Sequence, residues 1–303
     1  MQKVARRLGY QRDVIASGLK RGRSQTVAVV VGDLTNVNVP PVLRGIANAL
    51  EPEGLMPLIC ETQDDSQRLQ WIVDQLLSRH IDALLVIAAR LGDAPILRRL
   101  RRQGLPVVLA VQNVPGVRLP ICMYDDELGG RLAAQHLLGL GHRRLAQLRG
   151  PEDIYACAQR ATGFSRAVAE AKATEIPVAG TAPVGSPDDG RRLMHDLLSR
   201  KRALPSGIFV HHDLMAFGVL AVAAEHGLAT PGDLSVVGYH DLPYTEHLVP
   251  PLTSIRLPRE ELGRIAAEIM LQVLQSPDRP AISRKLPPTL VVRQSTGPPP
   301  TVR

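Results

Sequence analysis

The sequence predicts an α/β protein made of two similar, doubly wound parallel-sheet lobes joined by several crossover strands. Three observations lead there. From Thr26 onward, short unbroken apolar runs alternate with longer stretches of helical period, the pattern of strands buried on both faces by helices. Two such series occur, one before about residue 125 and one after it, each long enough for its own sheet. The remaining tail holds too few elements for a third domain, so it is expected to return and complete both sheets, leaving a cleft crossed by several strands.

In chain order the expected strands are 27–31, 57–60, 83–87, 106–111, 145–148, 176–180, 207–210 and 234–238, followed in the tail by 252–257 and 290–293. Between them lie amphipathic segments such as 68–78, where Leu69, Ile72, Leu76 and Leu77 share one face. Pro187-Asp188-Asp189 reads as a helix start, 260–274 as the tail helix, and Asp125 as the first crossing between lobes. The proline-rich end, 296–303, is expected to be disordered.

Charge is distributed unevenly. Seven basic residues (Lys3, Arg6, Arg7, Arg12, Lys20, Arg21 and Arg23) face one acid, Asp13, within the first 23 residues, so the leader carries +6 of the net +7. Such a leader suits a polyanion, because phosphate neutralisation releases counterions without needing sequence information. Aromatic content of 3% argues against a single-strand-binding surface built on ring stacking. The apolar runs are strand-sized, too short to cross a membrane, and the N-terminus lacks a secretory signal pattern. Cys60, Cys122 and Cys157 are widely spaced and read as reduced thiols of a cytoplasmic protein.

Short motifs then follow one another. They are Arg6-Arg7-Leu8-Gly9-Tyr10, Ala16-Ser17-Gly18-Leu19-Lys20-Arg21, Asp33-Leu34-Thr35-Asn36, Arg44-Gly45-Ile46, Gly141-His142-Arg143-Arg144 and Arg160-Ala161-Thr162-Gly163-Phe164. His212-Asp213-Leu214-Met215-Ala216, Val237-Gly238-Tyr239, Pro250-Pro251-Leu252-Thr253 and Leu290 to Ser295 complete the series. In this order and spacing the whole chain resembles the lactose-repressor (LacI) family of bacterial transcription regulators. That resemblance implies a helix-turn-helix headpiece, a hinge helix and a two-lobed effector domain like periplasmic sugar-binding proteins of type I. It assigns 1–25 to a remnant of headpiece and hinge, 26–126 with 256–280 to the N-terminal lobe, 127–255 with 281–296 to the C-terminal lobe, and 297–303 to the tail. Met1 matches a position inside the headpiece's last helix, so the reading helix is expected to be absent.

The resemblance also implies roles. Tyr10, Ala16, Leu19, Lys20, Arg21 and Arg23 would contact operator DNA, with Leu19 wedging into the minor groove; free in solution, 12–23 would be a solvated basic linker, since Gly18 disfavours helix. Asp33, Asn36, Asn38, Arg160, His212, Asp213 and His240 would line the effector cleft. Three of these positions depart from the family pattern: Val37-Asn38 stand where proline and an aromatic usually follow, His212 replaces an asparagine, and His240 replaces an aspartate. Two imidazoles gained and one carboxylate lost turn the expectation toward an anion such as a sugar acid, beside the family's sugars.

Other readings are weaker. His211, His212, Asp213 and His240 include zinc-ligand types, but neighbours on an extended strand point to opposite faces, so no metal is expected and His211 reads as packing behind the sheet. His142, in the turn leading into a strand, reads as structural. No nucleophile elbow or phosphate loop occurs, and Gly139-Leu140-Gly141 lacks the last glycine of a dinucleotide fingerprint, so neither enzyme activity nor a cofactor is expected. The expected protein is a cytoplasmic, homodimeric regulator, a repressor, with operator DNA and a sugar or sugar acid as partners; the alternatives are a transporter's sugar-binding protein and a metal-dependent enzyme.

Overall fold

Largely apolar segments give the first lobe its centre: β1 (Thr26–Val31), β2 (Met56–Glu61), β3 (Ala83–Val86), β4 (Val107–Val111) and β5 (Ile121–Tyr124), connected by α1 (Val39–Leu50), α2 (Ser66–Ser78) and α3 (Ala94–Arg102). The computed structural model describes residues 24–87, 89–199, 204–276 and 280–300. At Asp125 the chain crosses into the second lobe, where Asp125 caps α4 (Asp126–Gly139) by accepting from Leu128 N at 3.2 Å. That lobe continues through β6 (Arg144–Leu148), α5 (Tyr155–Glu170), β7 (Thr174–Ile176), α6 (Pro187–Leu198), β8 (Gly207–Val210), α7 (Asp213–Glu225), β9 (Ser235–His240) and β10 (Thr253–Arg256). The tail recrosses with α8 (Arg259–Gln275) and β11 (Ser283–Leu286), then returns with β12 (Thr289–Val291).

Among the described residues each sheet has six strands, ordered β11-β5-β4-β3-β1-β2 and β12-β10-β9-β8-β6-β7. All pairs are parallel except β10 with β12. Alternation along β1 sends Val27, Val29 and Val31 into a core that runs through both lobes, and Ala28 and Val30 into a separate core under α2 and α3. Three helix pairs approach through reciprocal glycines. A Cβ at Gly45 would overlap Glu260 O and one at Gly263 would overlap Val42 O, which fixes α1 against α8. Gly130 and Gly163 do the same for α4 and α5, and Gly190 and Gly218 for α6 and α7.

Several elements differ from the sequence expectation. β5 and β11 carry no expected strand; β11 is a polar edge strand, Ser-Arg-Lys-Leu with only Leu286 buried, held by main-chain pairing to β5. It therefore joins the first sheet, which corrects the expectation that all of 281–296 belongs to the second lobe. β7 lies at 174–176 rather than 176–180. The tail is ordered up to residue 300: Gly297 O accepts from His142 Nε2 at 2.9 Å, and Gly297 N donates to Ser235 Oγ at 3.0 Å. His142, fully buried, also accepts from Ser206 Oγ at 2.8 Å and so ties three segments together. α6 starts as expected, with Ser186 and Asp189 forming a reciprocal capping box.

Candidate functional site

Both sheets direct the carboxyl ends of their central strands toward the gap between lobes, the position where open α/β sheets bind ligands. From the first lobe, the turn after β1 brings Asp33, Asn36 and Asn38. Asp33 is occupied locally, accepting from Thr35 N and Thr35 Oγ1 at 2.7 Å. Asn36 Oδ1 accepts from Asn38 N and Nδ2 at 3.0 and 3.2 Å, and Asn38 Oδ1 accepts from Arg259 Nη1 at 2.9 Å. These bonds fix the Asn38 amide with its NH2 toward the second lobe.

There Asn38 Nδ2 meets His212 Nε2 at 3.4 Å. His212 Nδ1 accepts from Leu214 N at 3.1 Å, capping α7, so the ring proton sits on Nε2. Two N–H donors thus face each other across the lobes. His240 packs beside His212, ring centroids 4.4 Å apart, with a left-handed φ of 104° and a buried Nδ1 that has no hydrogen-bond partner among the described residues. Burial, together with Arg160, pushes the His212 imidazole down to about 3, and burial with neighbouring His212 and Arg160 holds His240 well below the usual range. Both rings are therefore neutral at pH 7. The imidazolium charge that pointed toward an anion does not arise, because a second cation and loss of water both oppose it.

Arg160 lies on α5 and is 5% exposed. Its Nε donates to Asp126 Oδ1 at 2.8 Å, Nη1 donates to the His211 carbonyl at 2.9 Å, and its guanidinium stacks 3.9 Å from the Tyr239 ring centroid. Tyr239 OH donates to the same Asp126 oxygen at 2.8 Å. Burial works against the Arg160 charge, but Asp126 outweighs it and holds the guanidinium protonated. Two of the five N–H donors of the fork expected to grip effector are thus used to join α4, α5, β8 and β9.

Asp213, also expected in the cleft, is fully buried and faces away. Its oxygens accept from Ser254 Oγ at 2.7 Å and Leu242 N at 2.8 Å, and burial raises its carboxyl to about 7. A Cβ at Gly238 would overlap Asp213 Oδ1, so the glycine and the aspartate together shape the turn that carries His240. His211 is buried as expected, its Nε2 hydrogen-bonding Gln147 Oε1 at 3.0 Å. Tyr10, Ala16, Leu19, Lys20, Arg21 and Arg23 lie outside the described residues.

Other residues at the cleft carried no local sequence signal. Arg259, the first residue of α8, spans the lobes by donating to Asn38 Oδ1 and, at 3.1 Å, to Asp241 O. At the rim, Arg90 of the first lobe pairs with Asp153 of the second at 2.5 Å, and Leu91 N donates to Asp153 O at 3.1 Å. The lobes are closed on each other through these contacts.

Comparison with known proteins agrees with this architecture. A family model described as a periplasmic binding protein-like domain matches residues 134–296. The HTH-type transcriptional repressor CytR of Escherichia coli strain K12 is 30% identical over 98% of this chain and 86% of its own length. PurR of Aliivibrio fischeri strain MJ11, also an HTH-type transcriptional repressor, is 27% identical over 95% of this chain and 86% of its own. Among solved structures, the transcriptional regulator CelR in complex with cellobiose superposes with a TM-score of 0.83 at 27% identity, covering 93% of this chain and 89% of that one. A LacI family regulator from Enterococcus faecium with bound ribose gives a TM-score of 0.76 at 26% identity, covering 90% and 99%. With the motifs in family order, two lobes closed over a polar cleft and a repressor relative 30% identical across 98% of this chain, the chain belongs to the LacI family of transcriptional regulators.

Proposed function

We propose that the protein is a cytoplasmic, homodimeric transcription repressor whose cleft binds a small polyhydroxylated metabolite, a sugar or sugar acid, and couples its presence to operator DNA. The observation that carries the ligand reading is the pair of facing donors, Asn38 Nδ2 and His212 Nε2, beside the unpartnered His240 Nδ1. An oxygen bridging the two donors from one side would accept from both, and would do so only with the lobes closed. A ligand of this kind therefore favours closure through differential contacts. Closure would alter the spacing of the two leaders across a dimer axis, and a coupling of about 1–3 kcal/mol is enough to regulate binding. Cellobiose and ribose in the related regulators support a sugar here.

Calorimetry with a panel of neutral sugars and matching sugar acids tests the reading. At least one should bind, and Asn38→Ala and His212→Ala should each weaken it about tenfold, corresponding to about 1.4 kcal/mol for one hydrogen bond. Affinity should be flat between pH 6 and 8 because the rings are already neutral. Binding that ignores both substitutions, or no binding by any member of the panel, overturns the assignment.

A further inference from the structure

In each right-handed βαβ unit the helix runs back along the sheet, so the carboxyl ends of α2 and α3 lie at the amino ends of the first-lobe strands, opposite the cleft. The leader joins the body at that same end. Ser24 N donates to Asp82 Oδ1 at 2.9 Å and Asp82 N to Thr26 O at 3.0 Å, placing the start of β1 beside the start of β3; Leu84 N donates to Pro106 O at 2.9 Å, placing the start of β4 next to it. With strands about 4.8 Å apart, the start of β4 is about 10 Å from that of β1.

This end of the lobe is strongly basic. Arg79 and His80 close α2, Arg101 and Arg102 close α3, and Arg118 lies in the loop before β5; all are exposed. Among the described residues none of these arginines forms an ion pair, whereas Arg99 is engaged by Asp74 at 2.8 Å. Acids nearby are few: Asp82 is held by Ser24, and Glu51 and Glu53 lie on the far side of β1, before β2. Favourable interaction with helix carboxyl ends explains one arginine per helix, not unpaired cations gathered from two helices and a loop onto one face.

We infer that this face of the N-terminal lobe is a second DNA-contacting surface, in which Arg79, Arg101 and Arg102 neutralise backbone phosphates flanking the stretch met by the leader. The inference rests on the proposed DNA-binding function. The surface adds affinity without sequence information, and it faces away from the effector cleft, so effector binding leaves its charges untouched.

The test is fluorescence anisotropy of a long random-sequence duplex titrated with the full 303-residue chain over a range of potassium chloride. Arg79→Gln/Arg101→Gln/Arg102→Gln should flatten the dependence of log K on log salt by about 0.9 for each phosphate that is no longer neutralised. The corresponding triple lysine variant should keep the original slope, as should the same loss of charge on the second lobe, Arg166→Gln/Arg191→Gln/Arg192→Gln. If the unaltered protein binds DNA and the first-lobe variant keeps its slope, or if both glutamine variants flatten it equally, the surface is refuted while the DNA-binding function stands. If the unaltered protein shows no salt-dependent binding, both fall.

Discussion

Replacing Asp126 by asparagine tests the buried cluster at the base of the cleft. The side chain is 4% exposed and its Oδ1 takes both Arg160 Nε and Tyr239 OH at 2.8 Å. The amide would keep the shape while removing the only carboxylate, among the described residues, within hydrogen-bonding reach of a guanidinium that is itself 5% exposed. Breaking one half of a buried pair costs about 3–5 kcal/mol, since the surviving charge stays desolvated. At about 2–4 °C per kcal/mol for large domains, the thermal midpoint should fall by roughly 6–20 °C. Arg160→Met should cost less, because the carboxylate it strands can take up a proton. The double variant Asp126→Asn/Arg160→Met should be more stable than the sum of the singles by at least about 1 kcal/mol. Urea unfolding followed by circular dichroism gives all four values. Additive losses, or an Asp126→Asn variant within about 1 kcal/mol of the parent, would refute the claim that this pair organises the junction of α4, α5, β8 and β9.

Gly163→Ala should destabilise by more than about 2 kcal/mol, its Cβ running into Glu127 O, whereas Gly139→Ala, with nothing within 4 Å, should lie within about 1 kcal/mol of the parent; thermal melts compare them. Stability should fall as pH drops below 6.5, because burial holds His142, His211, His212 and His240 below their ordinary value while the unfolded chain protonates them. His136 shifts the same way, while Asp213, between its ordinary value of 3.8 and about 7, and Asp126, also raised by burial, act in the opposite sense because the folded state keeps their protons; five histidines against two carboxyls leave a slope of at most about 4 kcal/mol per pH unit. Denaturant unfolding at pH 7.5, 6 and 5 measures it, and a flat profile contradicts the burial of neutral histidines. Arg90→Gln removes the rim pair with Asp153 and should speed effector dissociation two- to fivefold in stopped-flow measurements, equivalent to about 0.5–1 kcal/mol. Sedimentation of the protein lacking residues 1–25 should give a dimer, because the lobes rather than the leader would hold the protomers together; a monomer at micromolar concentration contradicts this.

The sequence by itself determined the two-lobed α/β architecture, since runs such as Val27–Val31 and Gly207–Val210 are wholly apolar only when a sheet is covered on both faces. It also determined the helix start at Pro187, the crossing at Asp125 and the family, because those signals are local or ordered along the chain. Only the tertiary structure decided what lies in the cleft. Arg160 and Asp213 read from the sequence as ligand residues, and the protein partners that also hold them, 34 and 41 positions away, are visible only in the fold. Arg259 did not register at all, because its contact with Asn38 spans 221 positions. β11 and the ordered tail escaped detection for a related reason: each is held through its own main-chain groups, β11 by pairing with β5 and Gly297 by bonds to the Ser235 and His142 side chains, and a main-chain group leaves no mark on the pattern of side chains. Whether a polar side chain faces ligand or protein depends on which donors and acceptors the fold brings within about 3 Å, and a sequence specifies that only after the chain has closed on itself.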